Sequence, residues 1–584
     1  MINKEIANIF NRFADIYEIF GDPTAEENTN NSKALIYKIR AYRQAALTLE
    51  NLKQSLTSLS SKGELSSLPG LGSTLISKIE EYLETKKINA FEKLKATVPA
   101  GLLELLELDS VGPKKVKQFY ETLGITNIEE LKKGIEDGSV ANLPRMGEKS
   151  AQKILDSINR QAESNQRYPL IESLATIASI KEALSQNPEA LKIQHAGSAR
   201  RQVVTNGDID IICATNNPES IANTFKSLDL IDELIAEGPT KISVYLKNGM
   251  QADLRMVKPS EFGAALQYFT GSKAHNVVLR TLAKQKGYKI NEYGIYEITS
   301  EKRVGGDQEE DIYSVLGMST PEPETRENTG EIELATNQNL TKLIKLEEIK
   351  GDLHIHSTYS DGTNTISEIA EIAIKKGYEY IAISDHSPSL KIAKGVTIDQ
   401  LKVKKAEIEE LNAKLPIKIF FATEVDILSD GSLDYPDEIL SAFDLVIASV
   451  HSGLQKDTTE RLIKAMQNPY VHIIGHPTNR LINKRERSPV DYDKIFATAA
   501  KTNTVLEINA SPYRLDLDGE LIGQAKQYGC KFIINTDSHN INQLDFMPLG
   551  VGQAKRGLLE TEDVINTLPL KEFTKQISAK SIDK

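Results

Sequence analysis

In Ala196-Gly197-Ser198-Ala199-Arg200-Arg201, followed by Gly207-Asp208-Ile209-Asp210-Ile211-Ile212, acids and branched apolar residues alternate. Side chains on a strand point to opposite faces in turn, so Asp208 and Asp210 leave one face while Ile209 and Ile211 enter a core. Two carboxylates this close repel each other unless a cation lies between them, which predicts a hard divalent metal site. Ahead of them, a Gly-Ser turn and Arg201 offer N–H, hydroxyl and guanidinium donors suited to phosphate oxygens. The pair alone also reads as a surface turn with two solvated aspartates. A third acid weighs against that reading. Gln251-Ala252-Asp253-Leu254-Arg255-Met256-Val257 reads as a short strand. Beside the first pair, Asp253 completes a carboxylate cluster for phosphoryl or nucleotidyl transfer.

Further on, Tyr268-Phe269-Thr270-Gly271-Ser272-Lys273-Ala274-His275-Asn276 leads to Arg280. In this order the segments resemble the palm and thumb of the family X DNA polymerases, the DNA polymerase beta family. The resemblance implies that Asp208, Asp210 and Asp253 hold two Mg²⁺ ions and that Asp253 accepts the proton of the primer 3′-hydroxyl. It places Arg167, Ser198, Arg201 and Gly207 near the incoming triphosphate. Tyr268, Phe269 and Gly271 would line the nucleotide sugar, with Asn276 and Arg280 toward the minor groove. Lys273 stands where DNA polymerase beta has an acidic residue.

Residues 1 to about 160 read as helices joined by short turns, and one small pattern recurs. It appears as Leu68-Pro69-Gly70-Leu71-Gly72, Leu108-Asp109-Ser110-Val111-Gly112 and Leu143-Pro144-Arg145-Met146-Gly147. Such a turn leaves free N–H groups at a helix N-terminus, where a DNA phosphate docks without regard to sequence. These segments resemble helix-hairpin-helix motifs, which makes Gly70, Gly72, Gly112 and Gly147 the expected DNA-binding positions. Ser110 and Arg145 replace the first glycine of the second and third copies. The first segment also resembles the small N-terminal domain of DNA polymerase beta. That implies a Schiff-base role for Lys78 against a 5′-deoxyribose phosphate; the plainer reading is a surface lysine touching phosphate.

Ser319-Thr320-Pro321-Glu322-Pro323-Glu324-Thr325 opens a polar run over 318–348, read as an extended, solvated linker. Beyond it, apolar strand-like runs repeatedly end in metal-ligand residues. They end at His354 and His356 ahead of Asp361, then at Asp385-His386, Glu424, His451, His476 and Asp537-Ser538-His539. With Val505-Leu506-Glu507-Ile508-Asn509, they alternate with helical stretches as in a barrel, whose strand ends converge on one mouth. Six of the nine histidines sit at such ends. Imidazole with carboxylate suits Zn²⁺, Mn²⁺ or Fe²⁺. This part resembles the PHP (polymerase and histidinol phosphatase) family. The resemblance implies a trinuclear phosphoesterase site on His354, His356, Asp361, His386, Glu424, His451, His476, Asp537 and His539, loaded with Mn²⁺ or Zn²⁺. His195 and His472 match no ligand position and read as structural.

At 584 residues with 40% hydrophobic content, the chain is globular and too long for one core. A net charge of −12 excludes a uniformly basic DNA-coating protein. Cys213 and Cys530, in apolar runs, do not suggest a disulfide framework. No signal-peptide core or membrane-length apolar run is present, so a cytoplasmic protein with no membrane partner is expected.

The expected fold class is multidomain α+β and α/β. It comprises an N-terminal helical, lyase-like DNA-binding domain (1–90), helix-hairpin-helix fingers (91–160) and a nucleotidyltransferase palm and thumb (161–317). The linker (318–348) and a PHP distorted (β/α)7 barrel (349–570) complete it. The whole resembles a bacterial family X DNA polymerase fused to a PHP nuclease. This implies monomeric gap filling on gapped or primer–template DNA with dNTPs, 3′–5′ exonuclease processing, and a place in base excision repair. Two alternatives stand beside it: a DNA-binding scaffold whose active part is a PHP phosphatase or AP endonuclease, and a template-independent transferase.

Overall fold

The computed structural model describes the chain apart from residues 1, 22–31, 51, 53–55, 62, 100, 107, 109–110, 145, 165 and 583–584. Asp109, Ser110 and Arg145 of the repeated turns therefore lie outside the described residues. The chain divides into two compact units, 1–166 and 167–584. No helix among the described residues is long and apolar enough to cross a membrane.

The first unit is helical. Helix Ile2–Phe20 is apolar around much of its circumference, burying Ile6, Phe10, Phe13, Ile16 and Tyr17 among others. It can therefore pack on two sides. Phe13 stacks on Tyr42 with centroids 4.6 Å apart and meets Phe91 at 5.2 Å. Arg12 Nη1 donates to the Leu103 carbonyl at 2.9 Å. One core runs from Ile6 to Ile158.

The second unit opens on a five-stranded sheet, counted among the described residues. Its order is Lys192–His195, Asp208–Ala214, Gln251–Val257, Lys241–Leu246, Ile231–Glu237. Ile209 and Ile211 enter the core beneath it, as the alternation predicts. On the other face, beyond the two aspartates, Ile212 and Ala214 lie under the helix Phe262–Thr270.

Residues 318–348 are not an extended, solvated linker. Arg326 is fully buried, accepted by Glu309 Oε1 and twice by the Pro321 carbonyl. Helix Glu331–Thr336 buries Ile332 and Ala335 against Leu279 and Tyr313. The acids that suggested solvation have cationic partners: Glu327 takes Arg201 and Arg556, and Glu322 takes Lys555.

Among the described residues, seven parallel strands from Gly351–Ile355 to Phe532–Asn535 then pair in chain order. A bridge from Ile355 to Ser538 brings the last strand back to the first. Period two sorts their side chains. Ile419 and Phe421 face the helices, whereas Phe420 and Ala422 share the other core with Phe573 of the last helix. Glu424 continues that second face. The barrel is fused to the palm by Ile482, Leu515 and Leu549, which join the palm core, and by Gln553 Nε2 donating to the Gln202 carbonyl at 2.8 Å. Cys213 and Cys530 are free and buried.

Candidate active sites

In the first unit, Gly70 takes φ +81°, and a Cβ there would meet Gln44 Cγ at 3.0 Å. Gly72 and Gly112 cap the helices Ser73–Thr85 and Pro113–Leu123, and Gly147 precedes Glu148–Ser164. A Cβ on any of these three would meet nothing within 4 Å. The Thr48 hydroxyl donates to the Pro69 carbonyl at 2.9 Å and Gln118 Nε2 to the Pro144 carbonyl at 3.1 Å, bracing the first and third turns. Lys78 is half-buried, with Nζ 6.0 Å from the Phe13 ring centre. Burial, assisted by Lys38, lowers its pKa. That is the direction amine catalysis needs.

In the palm, parallel register sets Asp210 directly beside Asp253, with Asp208 one step earlier on the same face. Burial, then Asp253, raises the Asp208 pKa; burial, then Asp208 and Asp253, push Asp210 up to about 7. Three acids thus crowd one another as a divalent-cation site requires. Lys241 on the adjoining strand, which the sequence did not single out, reaches Asp253 Oδ2 at 2.6 Å. Gly197 has φ +61°, and a Cβ there would sit 2.6 Å from Asp210 Oδ2, so only glycine lets the Gly-Ser turn lie against the cluster. Ser198 Oγ accepts from Asn206 at 2.8 Å. Arg167 donates to the Thr205 hydroxyl and carbonyl at 2.8 and 2.6 Å, with Gly207 against its guanidinium.

Arg201 donates to the Thr270 carbonyl at 2.6 Å and to Glu327 at 3.0 Å, and lies beside Gly271. It is thus held by protein partners. Phe269 packs on the Arg255 guanidinium at 3.7 Å and edge-on to Tyr268 at 5.0 Å. Asn276 donates to the Tyr268 carbonyl at 2.7 Å. Lys273 and Arg280 are exposed on the helix Lys273–Gln285.

The barrel mouth gathers all nine expected ligands. Three overlapping groups could each hold an ion: His356, Asp361, His386 and His539; His354, His356 and Asp537; His386, Glu424 and His451. His476 Nε2 lies 3.0 Å from Glu424 Oε1 and joins them. His354 Nε2, His356 Nδ1, His386 Nδ1 and Glu424 Oε2 are buried with no hydrogen-bond partner among the described residues. Yet His386 Nδ1 is 2.7 Å from Glu424 Oε2, and His354 Nε2 is 3.5 Å from both Glu424 Oε2 and Asp537 Oδ1. Buried polar atoms are normally satisfied. Orphans aimed past one another at shared points fit bound cations, so the donor set suits the metals that the PHP resemblance implies.

Charge balance says the same. Burial lowers His356 to about 3, assisted by His386 and His539, which leaves a neutral imidazole ready to ligate. Burial also opposes charge on His451 and His539, but neighbouring carboxylates prevail and hold both near 9. Glu424 and Asp537 stay well below the carboxylate range despite burial, because imidazoles surround them.

Three supporting residues escaped the sequence reading. Glu507 accepts from His354 Nδ1 at 2.7 Å, from the His476 N–H at 2.8 Å and from Asn535 at 2.9 Å, fixing two ligands. Asp426 bonds His451 Nδ1, which turns its Nε2 toward Glu424. Fully buried Lys404 pairs with Asp385 at 2.9 Å. A carboxylate in mid-strand was the available signal for Glu507. His472 takes the Val446 N–H on Nδ1, and His195 is lowered to about 4 by burial; neither meets the cluster.

Comparison with known proteins agrees with this layout. Residues 1–88 match a helix-hairpin-helix domain, 102–160 a SAM-like helix-hairpin-helix tandem, 265–327 the DNA polymerase beta thumb and 352–511 the PHP domain. The chain is 40% identical over 578 residues to a Bacillus subtilis DNA polymerase/3′-5′ exonuclease PolX, covering 98% of each chain. Probable phosphatases from Thermoanaerobacter sp. and Clostridium acetobutylicum are 33% and 32% identical over 203 and 206 residues. Each match covers 32% of this chain and 78% of the relative.

Proposed function

Because the chain belongs to the PolX family of DNA polymerase/3′-5′ exonucleases, we propose that it fills short gaps in DNA repair and trims 3′ ends in its PHP barrel. It is a DNA-directed DNA polymerase with 3′–5′ exonuclease activity and binds DNA through helix-hairpin-helix modules. The observation that carries the polymerase assignment is the parallel register of Asp210 and Asp253.

In our reading Asp208, Asp210 and Asp253 hold Mg²⁺, and the nine barrel ligands hold Mn²⁺ or Zn²⁺. Bound there, such ions neutralise phosphate oxygens and acidify water. The chain's own groups do the rest. Asp253 takes the proton of the primer 3′-hydroxyl. Arg167, Ser198, Arg201 and Gly207 hold the dNTP triphosphate; Tyr268, Phe269 and Gly271 meet its sugar; Asn276 and Arg280 face the minor groove. Gly70, Gly72, Gly112 and Gly147 take DNA phosphates, and Lys78 acts on a 5′-deoxyribose phosphate. We read the protein as a cytoplasmic monomer of base excision repair.

A scaffold with only PHP phosphatase or AP endonuclease activity fits less well, because it leaves the three crowded palm acids without a purpose. Incorporation on a one-nucleotide gap tests the proposal. Matched dNTP should be added far faster than mismatched dNTP; equal addition of all four would favour a template-independent transferase.

A further inference from the structure

Beside the barrel ligands, one guanidinium is only partly satisfied among the described residues. Arg514 Nε lies 3.5 Å from Asp537 Oδ2, while its Nη1 is buried with no hydrogen-bond partner among the described residues. A buried N–H on a charged group without an acceptor is costly and marks a place for an anionic ligand. The backbone that carries it is held firmly: the Arg514 carbonyl accepts from Arg480 Nε at 3.1 Å and Nη2 at 2.8 Å, and Leu515 is locked in the palm core.

The residue before it points outward. Tyr513 is 48% exposed, with Lys484 Nζ 6.0 Å from its ring centre. Its carbonyl accepts from the Ile482 N–H at 2.8 Å, which joins this loop to the turn bridged by Leu481 and Arg485. That turn is pinned to the palm by buried Ile482 and by Asn483, which donates to the Arg167 carbonyl. Arg485, partly buried, donates from Nε to the Asn479 carbonyl at 2.9 Å, and burial, then the positive charge of Arg514, lower its pKa. An exposed aromatic ring and three cations are therefore carried by two bridged loops at the seam between palm and barrel, and Arg514 reaches the hydrolytic cluster.

We infer that Lys484, Tyr513, Arg485 and Arg514 form the entry track that holds a single-stranded DNA 3′ end for hydrolysis. A base stacks on Tyr513, Lys484 and Arg485 meet backbone phosphates, and Arg514 Nη1 takes the phosphate nearest Asp537. Aromatic faces interleaved with cations are the chemistry that holds single strands without base preference. A duplex has no free base face to offer Tyr513. The inference deepens the exonuclease reading and rests on it.

The test uses the full-length protein and an oligo(dT) carrying 2-aminopurine next to its 3′ end. In EDTA, which prevents hydrolysis, the probe reports stacking of the base next to the 3′ end itself rather than overall DNA binding. Wild type and Tyr513→Phe should quench it; Tyr513→Ala should not. With Mn²⁺, Tyr513→Ala should raise KM for the oligonucleotide about tenfold, the scale of one lost base stack. Tyr528→Ala, removing a barrel tyrosine that is 41% exposed, should behave as wild type. Lys484→Ala should flatten the dependence of log affinity on log salt by about one contact. Unchanged quenching and KM in Tyr513→Ala, with normal wild-type hydrolysis, would overturn the track alone. A wild type that hydrolyses nothing would sink the exonuclease reading, while the quench would still decide whether the track binds a 3′ end.

Discussion

Replacing Lys404 by methionine probes how the barrel holds its ligands. Lys404 Nζ donates to the Ile383 carbonyl at 2.9 Å, the Ala422 carbonyl at 3.0 Å and Asp385 Oδ2 at 2.9 Å, and neither charged side chain is exposed at all. Asp385 also accepts from the Ser357 N–H at 2.7 Å and from the hydroxyls of Ser357 and Ser360 at 2.9 and 2.7 Å. One carboxylate thus ties the turn after His356 to the residue before His386. Methionine keeps the length of the side chain but strands Asp385 as a buried, uncompensated anion, a loss of about 3–5 kcal/mol. For a domain of this size, each kcal/mol shifts Tm by ~2–4 °C. Calorimetry of the full chain should therefore show the barrel transition lowered by roughly 6–20 °C, and titration should show weakened Mn²⁺ binding.

Lys404→Met/Asp385→Asn should recover part of the loss, because no buried charge is left unpaired. Burial raises Asp385, but Lys404 and Ser357 outweigh it and hold the group at about 2. This stabilisation is accordingly in place above the ordinary carboxylate pKa and is lost as pH falls through about 2. A barrel transition in Lys404→Met within 2 °C of wild type, roughly the effect of a single kcal/mol, would mean that Lys404 does not hold Asp385 in this way.

The palm acids predict the opposite pH dependence. Asp210 is held at about 7. In EDTA its contribution is therefore fullest below the ordinary carboxylate pKa and is lost as pH rises through 7. Asp210→Asn should gain thermal stability over wild type increasingly from pH 5 to pH 8, and added Mg²⁺ should narrow the gap; a pH-independent difference would count against the crowded cluster. Gly70→Val and Gly72→Val should weaken binding to gapped DNA in a gel-shift titration, with no dependence on sequence and a steep fall with salt. Unchanged affinity in both would leave the first hairpin a plain turn. Borohydride should trap the wild type, but not Lys78→Ala, on incised abasic DNA; no wild-type adduct would retire the lyase role.

Much of this was legible because catalytic residues sit where regular structure puts them. Period two alone brings Asp208 and Asp210 to one face, and strand ends deliver His354, His386, Glu424, His451 and Asp537 to one mouth. What stayed hidden depends on partners distant in sequence. Lys404 looks like another surface charge in Lys402-Val403-Lys404-Lys405. Only its spacing from Leu401 and Ile408, both buried, hints that it rides the apolar stripe. Glu322, Glu324 and Glu327 read as solvated until Lys555, Arg201 and Arg556 arrive from elsewhere in the chain. Lys241 carries no motif and acquires its place beside Asp253 only from antiparallel pairing.

In our reading polymerisation and end-hydrolysis use two separate metal centres. One labelled gapped substrate, followed for extension and shortening in Mg²⁺ and in Mn²⁺, tests it directly. His356→Ala should abolish 3′–5′ hydrolysis while gap filling continues, and Asp210→Ala should do the converse. Full hydrolysis in His356→Ala together with its loss in Asp210→Ala would place the nuclease in the palm instead of the barrel.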